Sequence, residues 1–293
     1  MAAEPTTHPA AAAGTVTFGD LTVNRMGFGA MRLTGQGIWG EPADREAAKR
    51  VLRRAVELGV SLIDTANAYG PEVSEQLIAD ALHPYPDDLV VATKGGLTRP
   101  GPGDWQRDGR PESLRKALEG SLRRLRLERI DVYQLHAVDP RVPLEESVGT
   151  LAELQQEGKI RHIGVSNVDA RQLASARELV PVVSVQNRYS LADRHSEGVL
   201  EACERIGIAF LPWFPLALGE LARSRGRLAQ LARSRGATAA QVALAWLLRR
   251  SPVMAPIPGT SSVAHLEENV GAAGLELSDA EFADLSRTAE ASL

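Results

Sequence analysis

Four side chains able to handle protons stand just beyond three separate apolar runs of the chain. Asp64 and Tyr69 lie in Leu62-Ile63-Asp64-Thr65-Ala66-Asn67-Ala68-Tyr69-Gly70, Lys94 closes Leu89-Val90-Val91-Ala92-Thr93-Lys94, and His136 closes Ile130-Asp131-Val132-Tyr133-Gln134-Leu135-His136. Brought together, an acid, a phenol, an ammonium and an imidazole can move a proton, because a nearby ammonium favours phenolate and lowers the phenol's pKa from near 10. Taken singly each has an ordinary explanation. Asp64 is as good a helix cap as a reactive acid, Tyr69 a half-buried packing residue, Lys94 a solvated strand end and His136 a satisfied core histidine. Their shared position after apolar runs is what a site on the C-terminal ends of parallel strands looks like.

Such a site needs strands lying side by side, and the rest of the sequence carries the punctuation for them. Ala47, Val51, Ala55 and Leu58 fall at helical spacing, Gly59 follows, and Val60-Ser61-Leu62-Ile63 begins a strand. Leu151 and Leu154 before Gly158, and Leu200 and Ile206 before Gly207, repeat the pattern of a helix, a stop glycine and a buried strand. Strand candidates cover residues 26–30, 60–64, 89–94, 131–136, 160–166, 182–186, 208–213 and 253–258. The gaps hold helical segments, among them the stripe Leu114, Leu118, Leu122, Leu125 and a segment entered through the capping box Thr238 to Gln241. The alternation predicts an α/β fold, a single (β/α)8 TIM barrel over residues 15–293, rather than an open doubly wound sheet. Residues 15–23 alternate around Gly19-Asp20 and read as an N-terminal β-hairpin closing the bottom of the barrel. Residues 1–14, rich in Ala, Pro and Thr, read as a flexible tail without the features of a secretion signal. A doubled Leu-Ala-Arg-Ser-Arg-Gly, at 221–226 and 231–236, reads as two basic helical turns, or one turn and a loop.

Charge and composition narrow the partners. A net charge of -4 leaves no electrostatic footprint for nucleic acid or an anionic membrane, and no apolar stretch approaches the roughly 20 residues that span a bilayer. The single cysteine, Cys203, cannot form an internal disulfide, fits a reducing cytoplasm, and sits on a helical pattern that makes it a small buried side chain. A cytoplasmic monomer or weak homo-oligomer without a metal is the expectation.

The segments containing Asp64 to Gly70, Thr93-Lys94 and Tyr133 to His136, with Ile163-Gly164-Val165-Ser166-Asn167, Val185-Gln186-Asn187 and Ile257-Pro258-Gly259-Thr260, resemble the aldo-keto reductase superfamily from about Thr15 to Ala289. Gly27 to Leu33 and Trp213-Phe214-Pro215-Leu216 resemble, within it, a bacterial branch that includes pyridoxal reductases. The resemblance implies reduction of a small, aromatic carbonyl such as pyridoxal by hydride transfer from NADPH, with NADH as the alternative cofactor. Tyr69 would be the general acid, Lys94 the charge that tunes it, Asp64 the support of Lys94, and His136 the group that orients the carbonyl oxygen. Cofactor contacts carried over are Gly29, Ala30, Met31 and Asp64, then Ser166, Asn167 and Gln186 for the carboxamide, and Trp213, Phe214, Pro215 and Leu216 beside the nicotinamide. Gly259, Thr260, Ser261, Ser262 and His265 fall at the phosphate site on a helix N-terminus, and Glu268 and Asn269 at the adenine. Many members carry lysine at the place of Gly259 and arginine at that of His265, so two permanent cations are missing. Met31, Trp39, Trp105 and residues 137–142 are candidate substrate walls, and Arg32 and Arg141 candidate partners for an anionic substrate. The same fold also serves as a non-catalytic dinucleotide-binding subunit that reports redox state to a partner, which is the alternative function.

Overall fold

The computed structural model describes residues 8–221 and 226–290. A hairpin, β1 (Thr15–Phe18) and β2 (Leu21–Asn24), comes first. Next come β3 (Phe28–Gly29), α1 (Arg45–Glu57), β4 (Leu62–Asp64), α2 (Val73–Leu82) and β5 (Val90–Gly95). A second hairpin, β6 (Leu97–Gly101) and β7 (Asp104–Arg107), leaves the end of β5 before α3 (Pro111–Leu125). The alternation resumes with β8 (Ile130–Leu135), α4 (Leu144–Gln156), β9 (Ile160–Ser166), α5 (Ala170–Leu179), β10 (Val182–Arg188), α6 (Glu197–Ile206) and β11 (Ala209–Trp213). The chain ends with α7 (Arg227–Ser234), α8 (Ala239–Arg250), α9 (Val263–Gly271) and α10 (Asp279–Glu290).

Seven strands form one parallel sheet in the order β11-β10-β9-β8-β5-β4-β3. Residues 253–258, expected as the eighth strand, close it without forming a regular ladder. Phe210 of β11 exchanges hydrogen bonds with Val253 and Ala255, while Gly27 N donates to Pro256 O at 3.0 Å and Gly29 N to Pro258 O at 3.5 Å. Pro256 and Pro258 face β3 and bring carbonyls but no N–H, so that side of the segment is bonded in one direction only. The result is a closed (β/α)8 barrel.

Alternation along the strands sorts the side chains. Ile63, Val91, Tyr133, Leu135, Ile163, Val165, Val185 and Phe210 face outward and join the main core with the helices. Inside, Leu62, Val90, Ala92, Val132, Val183, Ala209, Leu211, Ala255 and Ile257 make an apolar layer that Val16, Phe18 and Val23 of the first hairpin cap from below. Phe18 is fully buried there. The hairpin turn is pinned by Asp20, which accepts from Arg161 Nη2 at 2.7 Å and meets His162 Nε2 at 2.5 Å. Toward the strands' C-terminal ends the interior turns polar, with Asp64, Lys94, Gln134 and Gln186 buried in the next layer.

Part of the segment read as a flexible tail is packed. Pro9–Ala13 wind into a 3-10 helix, Ala10 is fully buried, and Ala10 N donates to Leu58 O at 3.0 Å. Alanines are small enough to lie against the end of α1, and Gly59 leaves room for His8 just ahead of them: a Cβ there would come within 2.3 Å of His8 Cβ. The second Leu-Ala-Arg-Ser-Arg-Gly repeat forms the end of α7 and the turn after it; most of the first lies outside the described residues. Cys203 is buried in α6, which pushes its thiol up to about 12. Among the described residues no helix is long and apolar enough to cross a membrane.

Candidate active site

Asp64 ends β4, Lys94 lies next to last in β5 and His136 follows β8, so three neighbouring strands deliver them to one mouth of the barrel. Tyr69 arrives on the turn after β4, held where Tyr69 N donates to Ala66 O at 3.1 Å. Lys94 is the hub. Its Nζ donates to Asp64 Oδ2 at 2.7 Å, to Thr65 O at 2.8 Å and to the Tyr69 hydroxyl at 3.4 Å. The other carboxylate oxygen of Asp64 accepts from Gln186 Nε2 at 2.8 Å and from Gln134 Nε2 at 3.2 Å. The two charged groups, Asp64 and Lys94, are thereby paired and hydrogen-bonded, which is what allows charges to stay buried.

Burial alone would depress the Lys94 ammonium, but Asp64 and Tyr69 outweigh it and hold it above its usual range. Burial raises the Tyr69 phenol, and Lys94 offsets that only in part. Lys94 pulls the phenol down as expected, but the loss of hydration and the charge of Asp64 exceed that pull, so the phenol lies above its usual range. Tyr69 keeps its proton at rest. His136 is held well below 6.5 by burial and then by Lys94, so its imidazole is neutral. Its ring stands edge-on to Tyr69, 5.8 Å between centroids, and its buried Nδ1 has no hydrogen-bond partner among the described residues.

These groups open into a cavity of about 1130 Å³. Asp64, Tyr69 and His136 line it, while Lys94 lies beneath. Ser166, Asn167 and Gln186 form one wall, Trp213 to Leu216 the next, and Gly259, Thr260, Ser261, His265, Glu268 and Asn269 the far end; Gly29 and Met31 line it as well. Ala30 does not, being fully buried behind β3, and Ser262 is occupied as the cap of α9, accepting from His265 N. Asn167, in a left-handed conformation at φ 56°, donates to His136 O at 2.9 Å and accepts from Trp213 Nε1 at 3.1 Å. Glu268 accepts from Thr238 Oγ1 at 2.6 Å.

Other expectations are redistributed. Residues 137–142 do not line this cavity: Asp139, Arg141 and Val142 border a separate depression of about 570 Å³, and Arg141 is paired with Asp139 at 2.9 Å. Arg32 does line the cavity, at the cofactor end rather than the substrate end. Its Cγ lies 3.6 Å from where a Cβ on Gly259 would stand. That Cβ would also come within 2.5 Å of Gly29 O, so a side chain at 259 collides with the backbone of β3. Gln134 was given no role in the sequence, although its inward register in β8 next to Lys94 was readable. Arg99, in β6, has no role in the sequence reading, because nothing in Thr98-Arg99-Pro100-Gly101 itself marks the arginine as buried.

The sequence profile of the Aldo/keto reductase family matches residues 25–290. The chain is 52% identical over 276 residues to an uncharacterised oxidoreductase of Schizosaccharomyces pombe, covering 94% of this chain and 90% of that one. It is 46% identical over 271 residues to the pyridoxine 4-dehydrogenase of Escherichia coli, covering 90% and 94%. Among solved structures, the glycerol dehydrogenase of Gluconobacter oxydans superimposes with a TM-score of 0.85 at 29% identity over 94% of each chain. An aldo-keto reductase of Klebsiella pneumoniae in complex with NADPH does so with a TM-score of 0.81 at 29% identity, again over 94% of each. With a family match across nearly its whole length and the barrel to go with it, the chain belongs to the aldo/keto reductase family.

Proposed function

We propose that the protein reduces a small aldehyde or ketone, of the size and flatness of pyridoxal, using NADPH, with Tyr69 as the proton donor. The observation that carries this reading is the contact of Lys94 Nζ with both Asp64 and the Tyr69 hydroxyl at the floor of the cavity.

The residues present fit a dinucleotide. The cavity exceeds the roughly 300–1,000 Å³ of a pocket for one drug-sized ligand. One end offers the Ser166 hydroxyl, the Asn167 amide and the Trp213 ring, the other the N-terminus of α9, through Thr260 and Ser261 ahead of it and His265 on its first turn. When bound, the nicotinamide supplies the hydride. The protein's own part is the proton. The Tyr69 hydroxyl hydrogen passes to the carbonyl oxygen as negative charge develops there, and Lys94 stabilises the phenolate left behind. Asp64 keeps Lys94 charged and aimed. Neutral His136, beside the Tyr69 ring, donates a hydrogen bond to the same carbonyl oxygen and so fixes its direction. Pyridoxal is favoured by the 46% identity to the pyridoxine 4-dehydrogenase and by the aromatic flank that Trp105 adds to the cavity.

Loss of absorbance at 340 nm with NADPH and NADH against pyridoxal, 4-nitrobenzaldehyde and aliphatic carbonyls tests the reading. Tyr69→Phe is expected to lower turnover at least about a hundredfold, the lower end for a lost general acid. Wild-type rates in Tyr69→Phe would remove Tyr69 as the donor, and failure to reduce any carbonyl with either cofactor would favour the redox-reporting subunit instead.

A further inference from the structure

Arg99 is the one buried residue of β6, in a hairpin whose partner strand β7 is wholly exposed. Only 7% of it is exposed, yet among the described residues no carboxylate forms an ion pair with it, Asp104 acting only from a distance, and its Nε has no hydrogen-bond partner. An arginine is rarely buried without a counter-ion, so its surroundings must hold it in another way. They are two carbonyls and two indoles. Nη1 donates to Ile38 O at 3.1 Å and Nη2 to Gly37 O at 3.4 Å. The guanidinium carbon lies 3.8 Å from the centroid of Trp105 and 5.4 Å from that of Trp39.

The two parts it joins both reach the reacting centre. Residues 34–40 are tied at their far end to the turn carrying Tyr69, through Gly40 N donating to Gly70 O at 2.5 Å and the pairing of Trp39 with Gly70. Trp105 stands edge-on to Tyr69 with 6.4 Å between ring centroids and lines the cavity with Leu97, Gly37 and Ile38. Between the hairpin and residues 34–40, the hydrogen bonds present are those of Arg99. Arginine suits this task and lysine does not, because a planar fork reaches two carbonyls while its face stacks on an indole.

We propose that Arg99 is a specificity-determining positioning residue: by clasping residues 34–40 to the hairpin it holds Trp105 upright as a flat wall beside Tyr69, and that wall selects aromatic over saturated carbonyls. The inference rests on the carbonyl-reductase reading for its substrate class. The geometry asks for a planar ring, placed against the indole, with its carbonyl turned toward Tyr69.

The test measures binding before turnover. Quenching of tryptophan fluorescence gives the affinity of 4-nitrobenzaldehyde for the wild-type protein, and displacement of that ligand compares benzaldehyde with cyclohexanecarbaldehyde, its saturated counterpart. Wild type is expected to prefer benzaldehyde; Arg99→Ala should weaken benzaldehyde about fivefold, the worth of one aromatic pair, and leave cyclohexanecarbaldehyde within about twofold. Arg99→Lys should behave like Arg99→Ala, and NADPH affinity should stay at the wild-type value in both. In turnover the loss should fall on KM rather than kcat. Trp105→Ala should mimic Arg99→Ala, and the double variant should be no worse than Trp105→Ala alone, because both remove one wall. Equal preference for the two aldehydes in wild type, retained preference in Arg99→Ala, full rescue by lysine, or additive losses in the double variant would each overturn the proposal. Binding preference without any turnover would sustain the wall and sink the reductase reading.

Discussion

Lys94 and Asp64 form an ion pair at 2.7 Å with side chains 0% and 3% exposed, and the pair is held in place by further bonds to Thr65, Tyr69, Gln134 and Gln186. Asp64→Ala would strand a buried ammonium, a loss of about 3–5 kcal/mol. Asp64→Asn, which keeps the shape and an acceptor for Lys94, should fall between that and wild type. Arg115, 36% exposed and paired at the surface with both Glu153 and Glu157, is the contrast, since even with two such pairs lost Arg115→Ala should change stability by no more than about 1 kcal/mol. Urea unfolding of the three variants checks the ranking, and similar losses for Asp64→Ala and Arg115→Ala would show that the inner pair carries no special weight.

His136 makes stability depend on pH. Its folded-state pKa lies well below 6.5, so as pH falls through 6.5 the unfolded chain takes up a proton that the folded chain refuses. Proton uptake then favours unfolding, and stability declines as pH drops from about 7 toward 5, by at most about 1.4 kcal/mol per pH unit from this group. His136→Asn should flatten that part of the curve. A His136→Asn profile parallel to wild type between pH 7 and 5 would mean that the imidazole is protonated in the folded protein.

Much of this site was readable before any coordinates, and what was not has a physical reason. Gly59, Gly158 and Gly207 stop helices with φ of 85°, 78° and 69°, and glycine is conspicuous in sequence at such points. Asp64, Lys94 and His136 were readable because inward register and the end of an apolar run are both local properties. The net direction of the Tyr69 shift was not, because it depends on how much water the fold removes from the phenol, a loss that outweighs the pull of Lys94. Arg99 was hidden for a similar reason: Pro100 to Gly103 signal a turn, but nothing local signals that Trp39 and Trp105 both come to the Arg99 guanidinium.

Trp213 should matter to cofactor binding through its nitrogen as well as its ring. Its indole N–H holds Asn167 Oδ1 at 3.1 Å, leaving the Asn167 amide to bond His136 O, so a phenylalanine would keep an aromatic face and release Asn167. Loss of one hydrogen bond of about 1 kcal/mol predicts NADPH affinity about fivefold lower in Trp213→Phe. Quenching on NADPH titration measures it, and an unchanged affinity would show that Asn167 needs no such tether.

Gly29 and Gly259 bear on the choice between NADPH and NADH. Restoring the family's lysine by Gly259→Lys would press a Cβ to within 2.5 Å of Gly29 O; the backbone of β3 must move, at a cost of about 1–3 kcal/mol. That variant should therefore be less stable without gaining selectivity. His265 is exposed on the first turn of α9 and meets no such obstacle, so His265→Arg should raise the NADPH preference about fivefold, as one part-exposed charge-assisted contact to a phosphate allows. Arg32, the only arginine or lysine among the described residues lining the cavity, already lies beside Gly259, and Arg32→Ala should weaken NADPH more than NADH, with a shallower salt dependence. The ratio of kcat/KM for the two cofactors in the three variants decides this. A gain in Gly259→Lys would show that β3 yields to the new side chain, and equal losses of both cofactors in Arg32→Ala would assign that guanidinium to the phosphates the two cofactors share.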